Sequence, residues 1–109
     1  MTFRLYALQR LSAALMVPLI VAHLVIIFYA TANGLSAAEI LGRTRGSLGW
    51  AVFYGVFVAL AAIHGAIGVR SVLREWTALR ARALDGIMWG FGLLLLVLGW
   101  RAVIAVVMP

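Results

Sequence analysis

The sequence predicts an all-α membrane protein: a bundle of three transmembrane helices forming a single domain over residues 1–109. Three observations carry that reading. Hydrophobic residues make up 66% of the chain and only 11% are charged, with a mean hydropathy of +1.13, which no soluble domain of this size approaches. The apolar residues gather into three runs, about 11–32, 48–72 and 86–107, each near the roughly 20 residues that cross a bilayer as a helix. The nine basic residues are all arginine and mostly flank these runs, as topology signals do.

Arg4 and Arg10 precede the first run, and Arg70, Arg74, Arg80 and Arg82 join the second to the third. Only Arg43 and Arg45 lie in the first loop, so the N-terminus is expected in the cytoplasm and the C-terminus outside. In a soluble protein a formal charge of +6 would point to nucleic acid. Here the arginines border lipid-spanning segments, and no nucleic-acid partner is expected. Extramembrane segments of at most about 15 residues are too short for an independent catalytic domain, so substrate chemistry falls to partner subunits. With no cysteine there is no thiolate for an iron–sulfur cluster, and the two histidines are the only strong metal ligands.

The first span ends in Ala30-Thr31-Ala32, an A-x-A pattern of the kind that closes a signal peptide, but its apolar part is too long for one. It reads as a transmembrane helix with a local kink at Pro18. Arg10 at its start must snorkel to the interface or find a polar partner. His23 lies about 20 Å further along the axis, near mid-membrane, where an ionisable residue is either functional or satisfied by a neighbouring carbonyl or hydroxyl. Asn33-Gly34 breaks the helix, and Ser36 with Glu39 has capping-box spacing, predicting a short helix on the outer surface.

Trp50, Phe53 and Tyr54 open the second span as an aromatic belt, with Gly49 and Gly55 permitting close helix approach. His64 and Gly68 fall one turn apart on one face, so a flat cofactor on the imidazole could lie against backbone bare of side chains. Arg70 follows about 9 Å along the axis, placed at the membrane surface to meet a carboxylate of that cofactor. Straight-helix arithmetic puts His64 about 6 Å closer to the cytoplasm than His23. Asp85 is expected to N-cap the third span, which has a small-residue patch at Gly86 and Gly90, Trp89 and Trp100 near its ends, and no histidine. Arg101, inside the apolar run, must snorkel outward or meet a carboxylate.

Two stretches resemble a known family. His64, Gly68, Arg70 and Glu75, in the order His-x3-Gly-x-Arg-x4-acid, are similar to the second transmembrane helix of the cytochrome b membrane-anchor subunits of succinate dehydrogenase and fumarate reductase. Gln9-Arg10-Leu11-Ser12-Ala13 resembles the His-Arg-x-Ser-Gly or Arg-x-Thr-Ala start of the first helix in the same anchors, with Gln9 in place of the frequent histidine and Ala13 in place of glycine. The resemblance implies that His64 is an axial ligand of haem b and that Arg10 helps bind ubiquinone or menaquinone. It puts Glu75 and Trp76 where the family often has Asp-Tyr at the quinone site. Trp76 can donate a hydrogen bond to a quinone carbonyl but cannot lose its proton as tyrosine does. Glu75 could equally pair with Arg74 or an arginine of the loop.

In di-haem members the first helix carries a ligand to the outer haem, which would be His23; in single-haem members it carries none. One or two haems per complex are therefore implied, each needing a second histidine. The resemblance further implies a flavoprotein subunit, an iron–sulfur subunit, and a second membrane anchor or second copy of this chain, in a bacterial cytoplasmic membrane rather than a mitochondrial one. Two other readings stay open. A haem-free structural anchor would keep the same fold. A small multidrug-type carrier would need membrane-embedded acidic charge, and no acidic residue lies deep in a span.

Overall fold

The computed structural model describes residues 2–108 as four helices: α1 (Phe3–Asn33), α2 (Ala37–Thr44), α3 (Leu48–Trp76) and α4 (Ala81–Val107). Of these, α1, α3 and α4 are long and apolar enough to cross a membrane, and the bundle is 49 Å long against a hydrocarbon core of about 30 Å. The chain is a multi-pass membrane protein. Most large side chains on these helices are exposed, including Val25, Phe28, Leu93 and Val97. That surface is stable only where lipid or partner helices cover it.

The helices overrun the apolar runs at their arginine-bearing ends. Helix α1 starts at Phe3, where the Thr2 hydroxyl accepts a hydrogen bond from the Leu5 amide at 3.3 Å, and it continues unbroken through Pro18. It ends at Gly34, whose φ of 125° suits glycine. Helix α2 is the predicted surface helix: the Glu39 amide donates to Ser36 Oγ at 3.2 Å, and the Ser36 hydroxyl donates to the Glu39 carboxylate at 2.8 Å. It is tied to the far end of α4 by Thr44 Oγ1 donating to the Val106 carbonyl and Gly46 N–H to the Val107 carbonyl, both at 2.7 Å.

The N-cap expected at Asp85 is corrected: α4 begins a full turn earlier, after Arg80, with no side-chain cap. Asp85 instead accepts a hydrogen bond from Arg70 Nε at 2.8 Å across the α3–α4 contact. A carboxylate held there neutralises a guanidinium that is 8% exposed, and a buried charge needs such a partner. It leaves the helix start uncapped.

Helix α3 is the centre of the bundle, with α4 along one side and α1 along another, while α1 and α4 scarcely touch. The core is small: Ala66, Ile67 and Met88, with Leu5 packed against them. The close approaches expected at Gly49 and Gly55 occur on α4 instead. A Cβ on Gly92 would lie 3.0 Å from Ala66 Cβ, and one on Gly99 would collide with Val58 Cγ1. Gly55 contributes its carbonyl, which accepts from Trp100 Nε1 at 3.1 Å. Val58 is β-branched and cannot swing aside within a helix. Gly99→Leu is therefore expected to destabilise the α3–α4 pair by about 1–3 kcal/mol, the usual range for overpacking. A thermal melt of the purified complex checks this, and an unchanged midpoint would mean that the helices do not meet at Gly99.

Candidate functional site

Helices α1 and α3 run antiparallel, and two contacts fix their register. Near the α1 start, the Gln9 Nε2 amide lies 3.5 Å from where a Cβ on Gly68 would sit. Further along, the His23 ring meets Tyr54 and Phe57 edge-on, with centroids 5.8 and 5.6 Å away. Tyr54, Phe57, His64, Gly68 and Ser71 recur at helical spacing, so His64 belongs to the α3 face that looks toward α1.

Both histidines thus serve one seam, and in both the Nδ1 atom is buried without a hydrogen-bond partner. They are not close neighbours along it. His23 stands level with residues 54–57 of α3, seven to ten residues from His64, or roughly 10–15 Å at 1.5 Å per residue. The depth difference read from the apolar runs was about 6 Å. The structure enlarges it because the contacts of Gln9 with Gly68 and of His23 with Tyr54 and Phe57 set the register of α1 on α3.

At the arginine-bearing end the seam turns polar. Ser12 is buried, and its hydroxyl donates to the Gln9 carbonyl at 3.1 Å. Gln9 Oε1 and Ser71 Oγ are buried with no partner. Buried polar atoms are nearly always paired, so these two and the two Nδ1 atoms mark where a hydrogen-bonding ligand would be best received. The backbone at Gly68 is not bare: the Gln9 amide lies over it, 3.5 Å from where a Cβ would sit. Among the described residues no three His, Cys, Asp or Glu side chains cluster for a metal ion.

The remaining candidates do not converge on His64. Arg70 faces α4 and holds Asp85, where a cofactor carboxylate was expected. Arg10 is exposed, its guanidinium 5.9 Å from the Tyr6 ring centre. Glu75 is exposed with no ion pair among the described residues, and Trp76 is 84% exposed at the end of α3. Arg101 is also exposed. Arg10, Glu75 and Trp76 are exposed at the arginine-bearing end of the bundle.

Three contributors to the seam escaped sequence reading. Ser71 lies seven residues from His64, and that heptad spacing was the available signal. Tyr54 read as a belt residue and Phe57 drew no reading, because nothing in the chain announces which α1 residue they meet.

A family model described as the succinate dehydrogenase/fumarate reductase transmembrane subunit matches residues 1–104. No curated protein and no solved structure matches the chain.

Proposed function

The chain belongs to the succinate dehydrogenase/fumarate reductase transmembrane subunit family and is a membrane anchor of that kind; from that premise we propose that it holds b-type haem and a quinone and carries electrons between them and an iron–sulfur subunit. The observation that supports this most is the α1–α3 seam, with two imidazoles whose buried Nδ1 atoms lack partners and a polar end at Gln9, Ser12 and Ser71.

The residues fit one half of a bis-histidine haem site at each of two levels. His23 and His64 sit at levels roughly 10–15 Å apart along the seam, so we assign them to separate sites. Each would hold one haem, with the second histidine supplied by a second anchor or a second copy of this chain. Gly86 and Gly90 on α4, with open space above both, leave a small-residue face on which such a helix can pack. Haem, when bound, supplies one-electron redox chemistry at a potential set by its ligands and burial.

The chain's own residues do the rest. His64 and His23 would be the residues that hold haem iron. The bulk of α1 and α3 keeps water from the seam. Edge-on contact with Tyr54 and Phe57 fixes the His23 ring plane. Gln9 and Ser71 offer hydrogen bonds at the polar end, while Arg10 and Trp76 present a cation and an indole N–H to a quinone headgroup between this chain and the docked iron–sulfur and flavoprotein subunits. The anchor sits in a bacterial cytoplasmic membrane with its arginine-rich end in the cytoplasm, and the quinone is ubiquinone or menaquinone.

The exposed position of Arg10 makes the quinone assignment testable without disturbing the seam. Arg10→Leu in the intact complex is expected to lower quinone turnover by about tenfold, the loss of one charge-assisted hydrogen bond, while leaving haem content unchanged. Undiminished turnover would make Arg10 a topology anchor only.

A further inference from the structure

A second feature of the bundle lies away from the histidine seam. Because α1 and α4 scarcely touch, α3 is left open between them as an apolar groove of about 360 Å³, lined by no charged side chain and flanked by Trp89 and Trp100. At the arginine-bearing end it meets a second depression lined by Thr2, Arg70, Arg74, Leu79, Ala81 and Leu84. The linings of the two are neighbours along the helices. Thr2 lies one turn from Leu5, Arg70 one turn from Ile67, and Leu84 one turn from Met88, each pair joining the polar depression to the groove.

We propose that this pair of cavities binds one anionic phospholipid, its phosphate between Arg70, Arg74 and the start of α4, and one acyl chain in the groove. Charge complementarity selects the headgroup. Arg74 makes no ion pair among the described residues, and neither Asp85 nor Glu75 lines the depression. Arg70 is nine-tenths buried; Asp85 engages its Nε, so its terminal nitrogens remain to donate. Ala81 opens α4 with no side-chain cap, so the first N–H groups of that helix also lack a partner from a capping side chain.

Size selects the tail. A water molecule takes about 30 Å³ of the liquid and a methylene group is of similar size, so the groove accommodates on the order of a dozen chain carbons. The lipid fills the gap between α1 and α4 and ties together three helices whose own core is only a few residues. This proposal does not depend on haem or quinone, since His64 and His23 line neither cavity.

The test uses the intact complex in detergent, equilibrated with equal amounts of dioleoyl phosphatidylglycerol and dioleoyl phosphatidylcholine, with co-purifying lipid quantified after gel filtration. The wild type is expected to retain the anionic lipid in preference. Arg74→Gln removes an exposed charge and should reduce that preference about fivefold, the share of one arginine near a lipid surface. Ile63→Trp, filling the groove from a 39% exposed position, should lower retention of both lipids. Equal retention of the two headgroups by the wild type overturns the proposal. So does a preference that survives both substitutions, as it would if a partner helix covers the groove, or release of quinone rather than phospholipid by Ile63→Trp.

Discussion

His64→Ala is expected to remove one b-type haem from the reduced-minus-oxidised spectrum of the purified complex without unfolding the anchor. The separation of the two effects follows from the position of the side chain. Nδ1 of His64 is buried without a partner, so truncation to alanine breaks no hydrogen bond and leaves no orphaned neighbour. The fold should lose only packing, on the order of 1–2 kcal/mol. Loss of an axial ligand, by contrast, cannot be made good within the chain, because the only other histidine stands roughly 10–15 Å away along the seam. Gly68→Ala is the control. Its added methyl would meet the Gln9 amide at an ordinary 3.5 Å, so the spectrum should persist with at most a small shift. A spectrum untouched by His64→Ala would remove His64 as a ligand and leave the seam a packing interface.

The three spans, the surface helix and its capping box were legible because each is a local pattern: an apolar run of membrane length, or two side chains three residues apart that satisfy backbone amides. What was not legible depends on which helix faces which. Asp85 looked like a cap because aspartate before an apolar run usually is one. The competing demand came from Arg70, fifteen residues back across a turn, and a buried guanidinium outweighs an exposed helix start. The close glycines were misplaced for the same reason. Glycine permits approach anywhere, and only the partner, Ala66 or Val58, decides where it happens. At the candidate site, His64 and His23 were found by type and depth. Gln9 over Gly68 and the pairing of His23 with Tyr54 and Phe57 required the antiparallel register, which hydropathy does not encode.

That register bears directly on the number of haems. Were both imidazoles on one iron, a single haem would join α1 to α3 and either substitution would abolish it. The seam instead sets their backbone levels two to three helical turns apart, so the proposal gives them separate sites; the alternative is that one of them binds no iron. His23→Leu separates these cases. With His64 on an inner haem and His23 on an outer one, each completed by a histidine of the partner anchor, haem per flavin falls from two to one and the surviving spectrum is that of the inner haem. Leucine fills the space between Tyr54 and Phe57 with little change in volume, so assembly should be retained and the flavin count is a sound denominator. One haem per flavin, unchanged by the substitution, would instead make His23 a ring packed edge-on between two aromatics, and the anchor a single-haem member of its family.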